Sequence, residues 1–168
     1  GGEAAGVFDT DSVGLLQMMS DMNSGLESRT PKGRKLRMQR TRFFTGAVVN
    51  NFKRLENEVM PQYFKLAKKI EAGAAFIIEQ IGYNARKQDE LLRYLALKNL
   101  RVPVLANVYV LSRPAARYFH SGRIPGVTVT GDLLARVQRG EIDPYSAAAE
   151  AVRSDEMLSR FNEGSRQP

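Results

Sequence analysis

Short runs of apolar residues alternate along the chain with longer amphipathic stretches. Apolar runs of this length, bounded by turn signals, predict buried β-strands, and helical spacing of apolar positions predicts amphipathic helices. The predicted strands cover residues 43–49, 74–81 and 102–110. The predicted helices cover residues 55–72, 86–98, 114–120 and 130–138. Pro61 favours a break in the first of these helices, because proline cannot donate a backbone hydrogen bond.

Capping residues place the ends of several further elements. Asp11 or Ser12 predicts the start of a helix that ends near residue 23, and Thr130 predicts the start of another. An Asp-Pro pair at residues 143–144 predicts a last helix, since proline is favoured in the first helical turn. The tail at residues 164–168 is expected to be frayed.

The alternation of strands and helices predicts an α/β fold with a parallel sheet. The 168 residues fit a single α/β domain. Three strands are few for such a sheet, and a closed barrel of this class needs eight strands and about 250 residues. The pattern therefore leaves two alternatives, a small open α/β domain or a piece of a larger barrel.

The net charge of +7 is concentrated in one segment. Residues 25–42 contain Pro31 and Gly33 and are predicted to form a basic loop. Its bases are Arg29, Lys32, Arg34, Lys35, Arg37, Arg40 and Arg42. A solvated loop is the simpler interpretation, and a surface for phosphate or nucleic acid is the alternative. The stacking aromatic residues of a single-strand binder are not evident beside it, so a nucleic-acid partner is not favoured.

Residue usage narrows the possible chemistry. The chain has no cysteine and one histidine, His120, which excludes thiolate and multi-histidine metal sites. The acid pairs Asp9/Asp11 and Glu56/Glu58 are interpreted as capping residues and a solvated helix face. No apolar run approaches the roughly 20 residues that span a bilayer. A cytoplasmic location without membrane contact is the default expectation.

Five segments together resemble the methylenetetrahydrofolate reductase family, over roughly residues 7–138. The most specific is the lysine-rich helix end that leads through Ala-Gly-Ala into a strand ending in glutamine. The segments are residues 7–16, 43–50, 68–74, 76–80 and 102–105, with an Ile-Pro pair at 124–125 downstream.

The resemblance implies a (β/α)8 TIM barrel that holds FAD. Members of the family pass a hydride from NADH or NADPH through the flavin to methylenetetrahydrofolate and produce methyltetrahydrofolate. The predicted strands would be the fifth, sixth and seventh of the barrel. The family's proton-donating Glu on the first strand and its Asp on the fourth have no counterpart in this sequence. We therefore expect no catalytic residue here and an inactive fragment of a one-carbon, methionine-supplying oxidoreductase.

The resemblance also assigns binding roles to individual residues. Gln80 matches a Gln that hydrogen-bonds the folate pterin, and Phe119 lies near a Phe that packs on the folate, with the spacing shifted by one. Asn50 replaces a flavin-contacting Tyr, which is a departure from the family. The remaining assigned FAD contacts lie on the helix at 55–72, and they are Gln62, Lys65, Lys68 and Lys69.

Two other functions remain open at the level of sequence. The chain could be a noncatalytic α/β module that binds a phosphorylated ligand or a partner chain, including a second copy or a chain that completes the barrel. Alternatively, the basic segment could bind nucleic acid. The flanking sequence would separate the first alternative from the reductase, and salt-sensitive DNA binding would indicate the second.

Overall fold

The computed structural model describes residues 10–143 and has an α/β architecture in that range. The helices are α1 (Ser12–Ser24), α2 (Glu56–Glu71), α3 (Ala85–Leu97), α4 (Arg113–His120) and α5 (Gly131–Arg139). The strands are β1 (Glu27–Arg29), β2 (Lys35–Arg37), β3 (Gly46–Val49), β4 (Phe76–Glu79) and β5 (Val104–Leu105). The predicted last helix, the tail at 164–168 and Asp9 lie outside the described residues.

Strands β3, β4 and β5 form a parallel sheet in that order. The prediction of three adjacent parallel strands is confirmed, although a closed barrel is not present in residues 10–143. Helices α2 and α3 connect consecutive strands and share one hydrophobic core with the sheet, so they cover the same face. At the centre of this core lie Ile77 of β4, Val59 and Leu66 of α2, and Leu91 of α3, each 0% exposed.

The third strand is much shorter than the predicted residues 102–110. Its regular pairing covers only Val104 and Leu105. The backbone nevertheless stays beside β4, because the N–H of Ile77 donates to the Pro103 carbonyl at 2.8 Å and that of Gly82 to the Asn107 carbonyl at 3.2 Å. The apolar pattern therefore predicted correctly where the third strand lies, but it overestimated the number of residues that pair regularly with β4.

The basic segment is not the featureless loop that the sequence predicted. Strands β1 and β2 pair as an antiparallel hairpin, with Glu27 opposite Arg37. The turn is closed by a hydrogen bond of 2.8 Å from the Gly33 N–H to the Thr30 carbonyl, and Gly33 has a φ of +77°. Apolar alternation does not mark these strands, since β2 is exposed along its whole length. The predicted exposure of the segment is confirmed.

Caps define most helix ends as the sequence predicted. The Asp11 carboxylate accepts from the N–H groups of Val13 and Gly14, and the Thr130 hydroxyl accepts from Leu133 N–H. The predicted break at Pro61 is absent, and α2 runs continuously through it. Pro61 lies on the exposed side of α2, where water can solvate the backbone carbonyl that proline leaves without a donor.

The second face of the parallel sheet is apolar and uncovered within residues 10–143. Side chains alternate across a strand, so Val48, Ile78 and Leu105 point away from α2 and α3. Val48 is 53% exposed and Leu105 49% exposed. Phe44 stacks on Phe76 at the start of the same face, with 5.2 Å between ring centroids. We call these five side chains the bare face.

The bare face predicts self-association of the isolated chain, because exposed apolar patches and open strand edges favour association. Light scattering at micromolar concentrations should show species larger than a monomer. The double variant Val48→Lys/Leu105→Lys should shift them towards the monomer, whereas the control Leu36→Lys/Met38→Lys on the exposed hairpin should not. A wild-type chain that stays monomeric throughout would contradict the prediction.

Candidate functional site

Two side-chain amides lie at the carboxyl ends of neighbouring strands. Asn50 directly follows β3 and Gln80 directly follows β4. The Gln80 N–H donates to the Val49 carbonyl at 2.9 Å, so the sheet fixes the backbone at this point. Ligands of parallel α/β sheets bind beyond the carboxyl ends of the strands. The structure therefore places two of the predicted site residues at the end of the sheet where a ligand is expected.

The loop around Gly126 brings these two amides to the same place. Gly126 has a φ of +83°, and a side chain there would overlap the Asn50 amide. The Gln80 Nε2 atom lies 3.5 Å from the same position. Only glycine has both the backbone freedom and the small size that this approach needs. We call Asn50, Gln80 and Gly126 the amide site.

The amide site offers both hydrogen-bond acceptors and donors. Asn50 Oδ1 is buried and has no hydrogen-bond partner among the described residues. Gln80 Oε1 accepts from the Ile81 N–H at 3.0 Å. The amide nitrogen of Gln80 is therefore the atom that can donate to a ligand. A buried acceptor without a partner costs free energy unless a ligand or water satisfies it. The arrangement suits a heterocycle edge that carries a donor and an acceptor.

A buried polar pair lies directly beside the amide site. Asn51 is 0% exposed and Glu79 is 1% exposed. Asn51 Nδ2 donates to Glu79 Oε1 at 3.1 Å and to the Lys87 carbonyl at 3.4 Å. These bonds tie the ends of β3 and β4 to each other and to α3. Because Asn50 and Gln80 are the adjacent residues, the pair fixes the spacing of the two amides.

No protein-family model matches this chain. No curated protein matches it either. The resemblance to the reductase family therefore rests on the sequence segments alone.

The helix residues assigned to FAD form a separate group along one side of α2. Lys65 Nζ lies 3.0 Å from the carboxylate of Asp11, and Lys69 Nζ donates to the Val48 carbonyl at 2.6 Å. Gln62 lies one turn before Lys65 on the same face, because residues three apart are neighbours on a helix. Lys68 is exposed. This group borders the side of β3 that has no neighbouring strand among residues 10–143.

The Lys69 ammonium occupies the open edge of the sheet. The carbonyls of Thr45 and Val49 accept hydrogen bonds from the β4 side, so Val48 between them directs its carbonyl outwards. Burial lowers the pKa of Lys69, and the nearby Lys65 lowers it further. A charged lysine that covers an exposed strand edge also hinders pairing with another chain. Lys69 thus has a structural role that the sequence did not reveal.

The lysines at the end of α2 and the amide site lie at opposite ends of the sheet. The Thr45 hydroxyl donates to the Gly73 carbonyl, which places the end of α2 beside the start of β3. The structure therefore keeps Lys68 away from Asn50 and Gln80, whereas the Lys69 ammonium lies at the Val48 carbonyl, two residues before Asn50. Lys69 reaches back along the strand as far as Val48.

Phe119 is part of the second hydrophobic cluster. It lies on α4, is 6% exposed, and meets Tyr109 edge-on with 5.2 Å between ring centroids. Its neighbours in the cluster include Leu111 and Val137. Its proposed contact with folate stays a prediction, and the described packing gives it a core role.

The remaining polar residues have structural roles. His120 is exposed at the end of α4, with Nδ1 2.8 Å from the Val129 carbonyl. Asp11 caps α1, and its pKa lies below the usual range because Gly14 N–H and Lys65 hydrogen-bond the carboxylate. Glu56 and Glu58 are exposed in the first turn of α2. Among residues 10–143, no group of three acids and histidines could hold a metal, and no helix could span a membrane.

Sequence reasoning did not identify Asn51, Glu79 or Gly126. Asn51 and Glu79 could have been found from the sequence, because each is a polar residue within or next to an apolar strand. For Gly126, the signal was its position after Ile124 and Pro125, where a Pro-Gly pair marks a turn.

Proposed function

We propose that this chain forms part of the barrel of a flavin-dependent methylenetetrahydrofolate reductase. The reaction is the reduction of methylenetetrahydrofolate to methyltetrahydrofolate, with NADH or NADPH as the hydride source and FAD as the carrier. The observation that carries the proposal is the amide site, where Asn50 and Gln80 converge at the carboxyl ends of adjacent parallel strands. The resemblance assigns these two positions to the flavin and the pterin.

The roles of the residues follow from their hydrogen-bonding capacity. Gln80 uses its oxygen within the loop, so its amide nitrogen donates to an acceptor on the pterin edge. The oxygen of Asn50 is covered in this structure, and it would accept from a ring N–H of the flavin or pterin once the Gly126 loop moves aside. Bound FAD supplies the hydride-transfer chemistry, and these side chains orient the ring that receives the hydride. Phe119 is buried in the cluster around α4, and its contact with folate rests on the resemblance alone.

The bare face agrees with a barrel interior. In a closed barrel, side chains on the inner side of each strand pack against those of the other strands. Val48, Ile78 and Leu105 are apolar and point to the side without helices, as such inner residues do. The proposal places β3, β4 and β5 as the fifth, sixth and seventh strands. The proton donor to the folate then belongs to a strand other than these three.

The α2 face extends the proposed flavin site along the open edge of β3. Lys65 and Lys69 place two cations there, and cations suit the diphosphate of FAD. On cofactor binding, Lys65 would leave the carboxylate of Asp11 and Lys69 would leave the Val48 carbonyl, and both would contact the cofactor instead. Gln62 and Lys68 complete the assigned set.

An FAD titration of the full-length protein tests the proposal. A flavin absorption band should remain with the protein after gel filtration. The variant Lys65→Gln/Lys69→Gln should bind FAD about tenfold more weakly, which corresponds to 1.4 kcal/mol. The control Arg34→Gln/Lys35→Gln removes the same charge from the hairpin and should leave the affinity nearly unchanged. Absence of a retained flavin, or equal losses in both variants, would overturn the proposal.

A further inference from the structure

A basic cleft opens beside the buried Asn51–Glu79 pair. It has a volume of about 480 Å³ and lies between the loop after β3, the start of α3 and the start of α5. Ligand sites in proteins commonly have volumes of about 300–1,000 Å³. None of the residues that the resemblance assigns to FAD or folate lines this cleft.

Four cations and one acid among the lining residues determine the charge of the cleft. The cations are Lys53, Arg54, Lys87 and Arg136, and the acid is Asp132. Lys87 is already paired, since its Nζ lies 2.9 Å from Glu90 Oε2, and Arg136 also interacts within the chain.

The loop after β3 supplies the cations on which a ligand would depend. Within the described range, neither Lys53 nor Arg54 has a carboxylate partner. Lys53 is half-buried, which strengthens its attraction for an anion relative to a fully solvated ammonium. The backbone of this loop is anchored where it enters, by the hydrogen bond of Asn51 to Glu79 and by Phe52, whose buried ring packs on Gly82.

The helices on the opposite walls add partial positive charge. The N-caps of α3 and α5, Asn84 and Thr130, both line the cleft. Helix N-termini attract anions because their first N–H groups and the helix dipole point outwards. Two helix ends and two cations without acidic partners therefore share one cavity.

We propose that this cleft binds the phosphate groups of a small ligand. Arg54 can hold two phosphate oxygens with its planar guanidinium, and Lys53 provides a second cation for the same group or the next one. The volume accommodates a diphosphate together with part of the group to which it is attached. The site does not depend on the reductase proposal, because its residues are distinct from the amide site and from Lys65 and Lys69.

Calorimetric titration of the full chain with inorganic pyrophosphate and with ADP tests this site, and adenosine serves as the phosphate-free probe. We expect saturable binding of pyrophosphate, with NMR shift changes at residues 53–54 and in the first turns of α3 and α5. The variant Lys53→Gln/Arg54→Gln should weaken binding by about tenfold or more. The control Lys98→Gln/Arg101→Gln removes the same charge from exposed positions at the other end of the sheet.

The outcomes separate the ligand sources and the competing explanations. Tighter binding of ADP than of pyrophosphate would identify a nucleotide site, and equal binding would identify a site for the phosphates alone. If the two double variants weaken pyrophosphate binding equally, the binding reflects only the general positive charge of the chain, and the proposal is overturned. Lack of saturable binding, or shift changes confined to the hairpin, would overturn it as well. Loss of FAD binding in Lys65→Gln/Lys69→Gln with unchanged pyrophosphate binding would show that the two sites are independent.

Discussion

In the proposed reductase, replacing Gln80 with Glu should lower folate-dependent turnover while leaving flavin reduction by the nicotinamide nearly unchanged. The substitution keeps the size and the oxygen that accepts from Ile81 N–H, but it removes the amide donor. A carboxylate would then face an acceptor of the pterin ring. An unpaired polar contact of this kind costs on the order of 1–3 kcal/mol, or about a 5- to 150-fold loss.

Separate measurement of the two half-reactions distinguishes this role from a structural one. The isosteric control Gln138→Glu introduces the same charge at an exposed position on α5 and should have no effect on either half-reaction. Equal losses in both half-reactions of Gln80→Glu would mean that Gln80 shapes the flavin site or the fold. Unchanged folate turnover would remove Gln80 from the pterin site.

The sequence predicted the elements whose signals are local. Asp11 and Thr130 identified their helix starts because capping depends on one side chain and the next three backbone N–H groups. The apolar runs located β3 and β4 because the core face of each strand is apolar, with Val49 and Ile77 buried beneath the helices. Strand order and parallel pairing followed from the helical connections.

The features that the sequence did not predict depend on contacts between distant residues. The β1–β2 hairpin is polar and exposed, so hydrophobic periodicity does not mark it. The hydrogen bond between Asn51 and Glu79 joins residues that are 28 positions apart. The role of Gly126 becomes visible only when Asn50 and Gln80 lie against it.

The amide site combines both kinds of information. Motif resemblance selected Gln80 and Asn50, and the parallel register placed them side by side at one end of the sheet. Lys68 is far from the amide site because the C-terminal end of α2 lies beside the start of β3. In the proposed reductase, Lys68 would therefore act with the amide site only through an elongated cofactor, whereas Asn50 and Gln80 can contact one ring.

The buried pair beside the amide site should be the polar contact most sensitive to substitution. Asn51→Asp would put a second carboxyl group against Glu79, where Nδ2 now donates at 3.1 Å and both residues are almost fully buried. Like charges at this distance cannot both ionise in a buried site, so one carboxyl of the pair would have a strongly raised pKa. We expect a loss of about 3–5 kcal/mol in the free energy of unfolding near neutral pH, the range found when a buried polar pair is disrupted by a charge.

The pH dependence of this loss identifies its cause. A carboxyl whose pKa is raised in the folded state favours folding below its unfolded pKa, and that contribution is lost as pH rises through the folded pKa. The destabilisation of Asn51→Asp relative to wild type should therefore be smaller at pH 5 than at pH 8 in urea denaturation. The control Asn57→Asp, exposed in the first turn of α2, should show little change at either pH. A destabilisation of Asn51→Asp that does not vary with pH would indicate a packing defect, and wild-type stability at pH 8 would show that the pair does not hold the ends of β3 and β4 together.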